Sequence, residues 1–183
     1  MTLGEGKRKV YMLMDEYSSG GSVTEDADIE MKMADFFDIG QKQVAEIKRI
    51  RRTHVIERVE GETLYPMPDD FLKLICIWRG DSVTKRFRWR GGKLEIPLDE
   101  KHPIELEYFA MPATIGPDTP DEYVFEVSED AAKALPYFVA SQQLVADLVM
   151  DYGALWNLYQ SMLSTLDMSE RGGTVLRNSF YRR

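Results

Sequence analysis

Ile104-Glu105-Leu106-Glu107-Tyr108-Phe109 sets Ile104, Leu106 and Tyr108 on one side of an extended chain and Glu105 and Glu107 on the other. A period of two with one apolar and one acidic side is the pattern of a half-buried strand. The run is the clearest piece of a longer block, residues 54–115, in which apolar residues fall at every second position. On either side of that block they repeat at three and four. The switch of period predicts an α+β protein: a helical body of about four helices with an inserted small antiparallel β-sheet. Residues 1–53 and 116–183 form the body with its C-terminal tail, and residues 54–115 the inserted module.

Within the block, residues 54–59 read as a first strand, Gly61-Glu62 as a turn, and residues 63–67 as a short return held to an edge by Pro66 and Pro68, which cannot donate to a ladder. Residues 71–78 are almost continuously apolar, which predicts a central strand covered on both faces. Residues 84–90 alternate, with Arg86, Arg88 and Arg90 against Phe87 and Trp89, and Gly91-Gly92 is a hairpin signal before Leu94, Ile96 and Leu98. A loop over 99–103 leads into the acidic strand. The expected result is an antiparallel meander of about five strands.

Outside the block, Val10, Leu13, Met14 and Tyr17 mark a first helix, ended by Ser18-Ser19-Gly20-Gly21-Ser22. Ile29, Met33, Phe36, Gly40, Val44 and Ile47 mark a second, expected to run to Arg52 over about 36 Å at the usual rise per residue. Lys48, Arg49, Arg51 and Arg52 would then complement its negative end. Residues 111–120, with Pro112, Pro117 and Pro120, connect back to the body, and Tyr123, Phe125 and Val127 suggest another extended piece. Ser128 is a candidate N-cap ahead of Glu129 and Asp130. Ala131, Leu135, Phe138, Gln142, Val145 and Val149 follow at helical spacing with a kink expected at Pro136. Leu155, Leu158, Met162 and Leu166 continue to a stop at Gly172-Gly173, leaving a basic, aromatic tail with Phe180, Tyr181, Arg182 and Arg183.

At 183 residues, with 44% hydrophobic and 30% charged residues, the chain has the composition of an ordinary globular protein, one main domain with an insertion. No apolar run reaches the roughly 18 residues of a membrane span, and no secretory leader is apparent, so neither membrane insertion nor secretion is expected. Cys76 is the only cysteine and reads as a small buried apolar residue. A formal charge of −8 argues against nucleic acid coating the whole surface and leaves room for a local basic patch.

No catalytic, cofactor or metal site is expected. His54 and His102 lack metal-ligand spacing, Asp69-Asp70 and Asp118 with Asp121 are acids beside prolines in turns, and neither Gly-Gly pair has the setting of a phosphate loop. Arg86, Arg88 and Arg90 interleaved with Phe87 and Trp89 suggest a nucleic-acid-binding module, joined by Arg49, Arg51 and Arg52 of the basic helix end. Strict alternation, however, separates the arginines from the aromatics. The simpler expectation is that Phe87 and Trp89 pack inward while the arginines are solvated or meet Glu95 and Glu107.

A short helix ending in a Gly-Ser turn and a long helix lead into Leu64-Tyr65-Pro66-Met67-Pro68-Asp69-Asp70-Phe71-Leu72-Lys73-Leu74. With Ile104-Glu105-Leu106-Glu107-Tyr108-Phe109-Ala110-Met111-Pro112-Ala113-Thr114-Ile115 and Leu135-Pro136-Tyr137-Phe138-Val139-Ala140, this order resembles the head-to-tail adaptor, or connector, proteins of tailed bacteriophages. The resemblance spans most of the chain, through short structural motifs. It implies a non-enzymatic virion part, found in the host cytoplasm during assembly. Such proteins form a homo-oligomeric ring, commonly dodecameric, below the portal protein and meet tail or head-completion proteins, with no membrane. DNA passes through the centre without specific recognition, and an acidic chain suits a lumen that must not hold it. Arg86, Arg88, Arg90, Arg49, Arg51, Arg52, Phe180, Tyr181, Arg182 and Arg183 are the candidate partner contacts.

Overall fold

The computed structural model describes residues 1–17, 27–98, 103–146 and 152–172. The chain is α+β and divides into two units, Met1–Lys48 with Pro112–Arg183, and Arg49–Met111. The first holds helices α1 (Leu3–Tyr17), α2 (Ala27–Ile47), α3 (Glu129–Ala132), α4 (Leu135–Ala146) and α5 (Tyr152–Gly172). Antiparallel strands make up the second: β1 (Ile50–Ile56), β2 (Leu64–Tyr65), β3 (Phe71–Arg79), β4 (Ser82–Val83), β5 (Arg88–Arg90), β6 (Lys93–Glu95) and β7 (Ile104–Ala110). None of the described helices is long and apolar enough to cross a membrane.

The strands form two sheets, ordered β1-β7-β3-β4 and β2-β6-β5, where the sequence suggests one meander. β7 lies between β1 and β3, and its residues alternate buried and half-buried along its whole length. Ile104, Leu106, Tyr108 and Ala110 thus turn inward with Ile56 and Ile77, and meet Tyr65, Leu94 and Ile96 of the second sheet's side in one core. β3 is covered on one face only, with Ile77 its one buried residue, and two register shifts against β7 break its alternation. Its continuous apolar character therefore reflects an irregular register and a half-covered outer face carrying Cys76 and Trp78. Cys76 is accordingly half-buried.

α2 stops at Ile47, and β1 starts at Ile50. Seven residue pairs with β7, made by a segment containing Ile50, Thr53, Val55 and Ile56, outweigh continuation of the helix. Arg49, Arg51 and Arg52 consequently belong to the β unit.

In the helical unit, α4 packs against α1, α2 and α5, and Leu135, Phe138, Val139, Ala140 and Ser141 are all buried. A helix surrounded in this way is apolar on every side. Gly40 lets α2 approach it: a Cβ there would sit 2.9 Å from Phe138 Cδ1. The buried aromatic of α2 is Phe37, at 0% exposure, and not Phe36; that of α5 is Tyr159, while Leu158 is 44% exposed. Phe37 packs on Phe125, ring centres 5.3 Å apart, and against Gly6 of α1, while Tyr159 packs on Phe138 of α4, ring centres 5.1 Å apart. Burial pushes the Tyr159 phenol up to about 12, and its hydroxyl donates to Gln43 Oε1 at 3.2 Å.

Thr2 and Glu5 form a reciprocal capping box at α1: Thr2 N donates to Glu5 Oε2 at 2.8 Å and Glu5 N to Thr2 Oγ1 at 3.2 Å. Leu3 N then donates to Tyr123 O and Gly4 N to Asp121 O, which ties the start of the chain to the extended piece expected at 123–127. Buried Gln41 secures the same region, donating to Ala113 O and accepting from Glu126 N. Ser128 occupies the N-cap position of α3 without capping it, because its hydroxyl donates to Asp130. At Pro136 there is no kink inside one helix. The chain breaks between α3 and α4, and Pro136 sits in the first turn of α4, where a missing N–H costs nothing. The stops expected at 18–22 and 173 and the residues Val149 and 174–183 lie outside the described residues.

Replacing Gly40 with Val drives a branched side chain into Phe138. It should lower the unfolding free energy of the helical unit by about 1–3 kcal/mol, measured by urea titration.

Candidate functional site

The cationic residues singled out in the sequence fall at two places in the β unit. The first is a cleft beside the three-stranded sheet, about 490 Å³ in volume. Its lining includes Lys85, Arg86 and Arg88, with Glu95 the one acid among the described lining residues, together with Thr63, Phe87, Ile96 and Pro97. The stretch before β5 is irregular and tied locally: Thr84 N donates to Ile77 O at 2.8 Å, and Arg86 N to Thr84 Oγ1 at 3.1 Å. Only Arg88–Arg90 form a strand, at the edge of the sheet, with Arg88 opposite Glu95, Trp89 opposite Leu94 and Arg90 opposite Lys93.

Phe87 packs on the core as expected, whereas Trp89 remains 48% exposed, its ring 5.9 Å from Phe71 at the open edge. Arg90 meets Glu95 at 3.8 Å. Glu107 accepts from Cys76 Sγ and Trp78 Nε1, each at 3.1 Å, on the outer face of the four-stranded sheet. Arg58 adds charge next to the cleft. Its Nη2 donates to the carbonyl of Pro97 at 3.2 Å, its guanidinium lies 5.4 Å from the Tyr65 ring centre, and its Nε and Nη1 are buried without a hydrogen-bond partner among the described residues.

The second place is the outer face of the four-stranded sheet. Arg49 and Arg51 lie 4.9 and 5.9 Å from the ring centre of Phe109, and Lys73 is the β3 residue opposite that ring. Arg52, next along β1, points to the other face and pairs with Asp70, which also accepts from the Tyr108 hydroxyl at 3.0 Å. One carboxylate so joins β1, β7 and the start of β3. Burial, and then the bond to Asp70, raises the Tyr108 pKa above its ordinary value of 10.0.

Arg86 and Arg88 are therefore brought together with Lys85 in one cleft, while Arg49 and Arg51 sit on the far side of the sandwich and Arg52 is spent on a structural clasp. Phe180, Tyr181, Arg182 and Arg183 lie outside the described residues. His54 is exposed on β1, and His102 is outside the described residues. Among the described residues, no group of three or more His, Cys, Asp or Glu side chains is placed to hold a metal ion.

Lys85 and the Arg52–Asp70–Tyr108 clasp escaped sequence reading. Lys85 sits one residue before the alternating run, and Asp70 reads as an ordinary turn acid. A strand begun at Ile50 would have put Arg51 and Phe109 on one face.

No family model and no curated protein matches the chain.

Substituting Asp70 with Ala removes the shared acceptor of Arg52 and Tyr108 and should destabilise the β unit by about 1–3 kcal/mol in chemical denaturation. Folding favours the neutral Tyr108 phenol. Its contribution is complete below pH 10 and is lost as pH rises through the raised folded-state value. Thermal melts above pH 10 should show a shallower fall for Tyr108→Phe than for the wild type, in a background carrying Tyr159→Phe to remove the other raised phenol.

Proposed function

We propose that the chain is a structural head-to-tail adaptor of a tailed bacteriophage or prophage. It assembles as a homo-oligomeric, dodecameric ring beneath the portal protein and joins capsid to tail or head-completion proteins, leaving a central channel through which DNA passes. It acts in the virion and is built in the host cytoplasm, without catalysis or cofactor.

The observation that carries this reading is the insertion of a β unit with its own core between α2 and α3 of a helical unit. The two longest stretches of resemblance fall at the joints of that insertion and its sandwich. Residues 64–74 span β2, the Pro66–Asp70 turn and the start of β3, while residues 104–115 span β7 and the proline exit into the helical unit. Such a chain presents two separately folded surfaces, as an assembly part needs when each subunit must touch both its neighbours and a larger partner.

Native mass spectrometry and negative-stain electron microscopy of the chain mixed with the portal protein of the same phage or prophage should show a closed ring seated on the portal. Protein that stays monomeric with that portal and never enters particles would sink the reading.

The cationic cleft favours a second reading, a nucleic-acid-binding module. It predicts single-strand binding that weakens with salt, lost in Arg86→Ala/Arg88→Ala and retained in Arg49→Ala/Arg51→Ala, because the latter pair sits on the other face. Absence of binding at low salt removes it.

A further inference from the structure

We infer that strand β1 pairs, antiparallel and edge to edge, with β1 of a second copy of this chain, joining two four-stranded sheets into one.

Each sheet of the β unit has two edges, and three of the four are short: β2 and β4 have two residues each and β5 three. A short edge offers little for another chain to pair with. β1 differs. It runs seven residues and keeps an unbroken register with β7, while the register shifts of this sheet fall between β3 and β7. It holds no proline or glycine, and Ile50, Thr53, Val55 and Ile56 are β-branched. At the end of the order β1-β7-β3-β4, it has no described strand along its other side.

The charges of this stretch do not guard that side. Arg49 and Arg51 lie over the Phe109 ring of β7, on the outer face. Arg52 turns to the inner face and pairs with Asp70, beyond β7. All three side chains thus reach back over the sheet, away from the open edge. Thr53, His54 and Val55 remain exposed in the middle of the strand, Val55 to 57%. A regular edge without inward charge, bulge or proline is a template for a further strand.

A second β1 fits because the strand is complementary to itself. Turned about a twofold axis through Thr53, it meets its copy with Thr53 opposite Thr53, Arg51 opposite Val55 and Arg49 opposite Glu57. Arg49 and Glu57 are both exposed, and neither makes an ion pair among the described residues. The twofold brings them together twice, and opposite charges across an antiparallel pair are stabilising. On the inner face Ile50 falls opposite Ile56 and Arg52 opposite His54. This register alone pairs all seven residues; a slip by two either way leaves five and sets Arg52 or His54 against its own copy. Twofold contacts are the commonest between identical chains. Such a contact closes at two chains, so it belongs to the protein before any ring forms and stands apart from the adaptor reading.

The test uses the full chain carrying Cys76→Ser, so that only an introduced cysteine reacts. Thr53→Cys should give a disulfide-linked dimer on mild oxidation, because directly opposed residues of an antiparallel pair have Cα atoms about 4.5–5.5 Å apart, within disulfide reach. Val55→Cys should not link to itself, being about 14 Å from its copy along the strand, and should link to Arg51→Cys when the two variants are mixed. Sedimentation of the wild type should show a reversible dimer. Val55→Lys, which sets a cation opposite Arg51, should weaken it about tenfold. Glu57→Arg should weaken it about fivefold, and Arg49→Glu/Glu57→Arg should restore it. Unchanged melting at low concentration shows that the variants fold.

A chain that stays monomeric up to about 1 mM overturns the proposal. So does a dimer in which Thr53→Cys fails to link, in which Val55→Cys links to itself equally well, or which Val55→Lys leaves intact; each would mean another contact or another occupant of the edge. A ring on the portal without the Thr53 link in the free chain removes this contact and keeps the adaptor reading. The Thr53 link with no ring in any condition does the reverse.

Discussion

The placing of β7 between β1 and β3 is the pairing on which the β unit rests. Every inward residue of β7 enters the core, and its partners on both sides reach that core through it. A unit of about 60 residues buries a modest fraction of its surface and has little stability to spare. Fully burying a side chain such as Leu106 or Ile77 contributes about 1.5–3 kcal/mol each, so a handful of positions decides whether this unit folds. The Asp70 carboxylate, shared by Arg52 and Tyr108, adds a polar tie across the same three strands.

That pairing also sorts the arginines. Because β1 runs beside β7 in a fixed register, Arg51 falls on the Phe109 side and Arg52 on the Tyr108 side. The second sheet closes the inner face, so its own cations, Lys85, Arg86 and Arg88, open to a different part of the surface. One sequence thus yields two separate basic regions with different surroundings. Arg49 and Arg51 cover an aromatic ring, while the cleft combines charged and apolar lining residues.

The helical unit is organised by a different constraint, the burial of the first turns of α4, where Leu135, Phe138, Val139, Ala140 and Ser141 are all buried. Its neighbours can close around it only where a small residue permits, and Gly40 is such a point. The 112–126 segment is then fixed by Gln41 and by Asp38, whose Oδ1 accepts from Ile115 N at 3.0 Å. The acidic loop 117–122 is consequently presented from a well-anchored stretch of chain.

The α+β class and the alternation of Ile104, Leu106 and Tyr108 were legible in the residues, because periods of two and of three to four are local properties of the backbone. The inward packing of Phe87 agrees with the alternation read over 84–90, but the strand is only Arg88–Arg90, Trp89 stays exposed, and Arg86, Phe87 and Arg88 line one cleft in succession, which a period of two does not give. The fate of Arg49, Arg51 and Arg52 was not legible, since a basic end to a helix and a strand of β-branched residues both suit that stretch, and only β7, some fifty residues away, chooses between them. Phe37 over Phe36 was decided likewise by where Phe125 and α1 lie, and Tyr159 over Leu158 by where α4 lies. The two-sheet order, the cleft and the Asp70 clasp all join residues far apart in sequence. Local pattern determines which side chains share a face; long-range pairing and packing alone decide what that face meets.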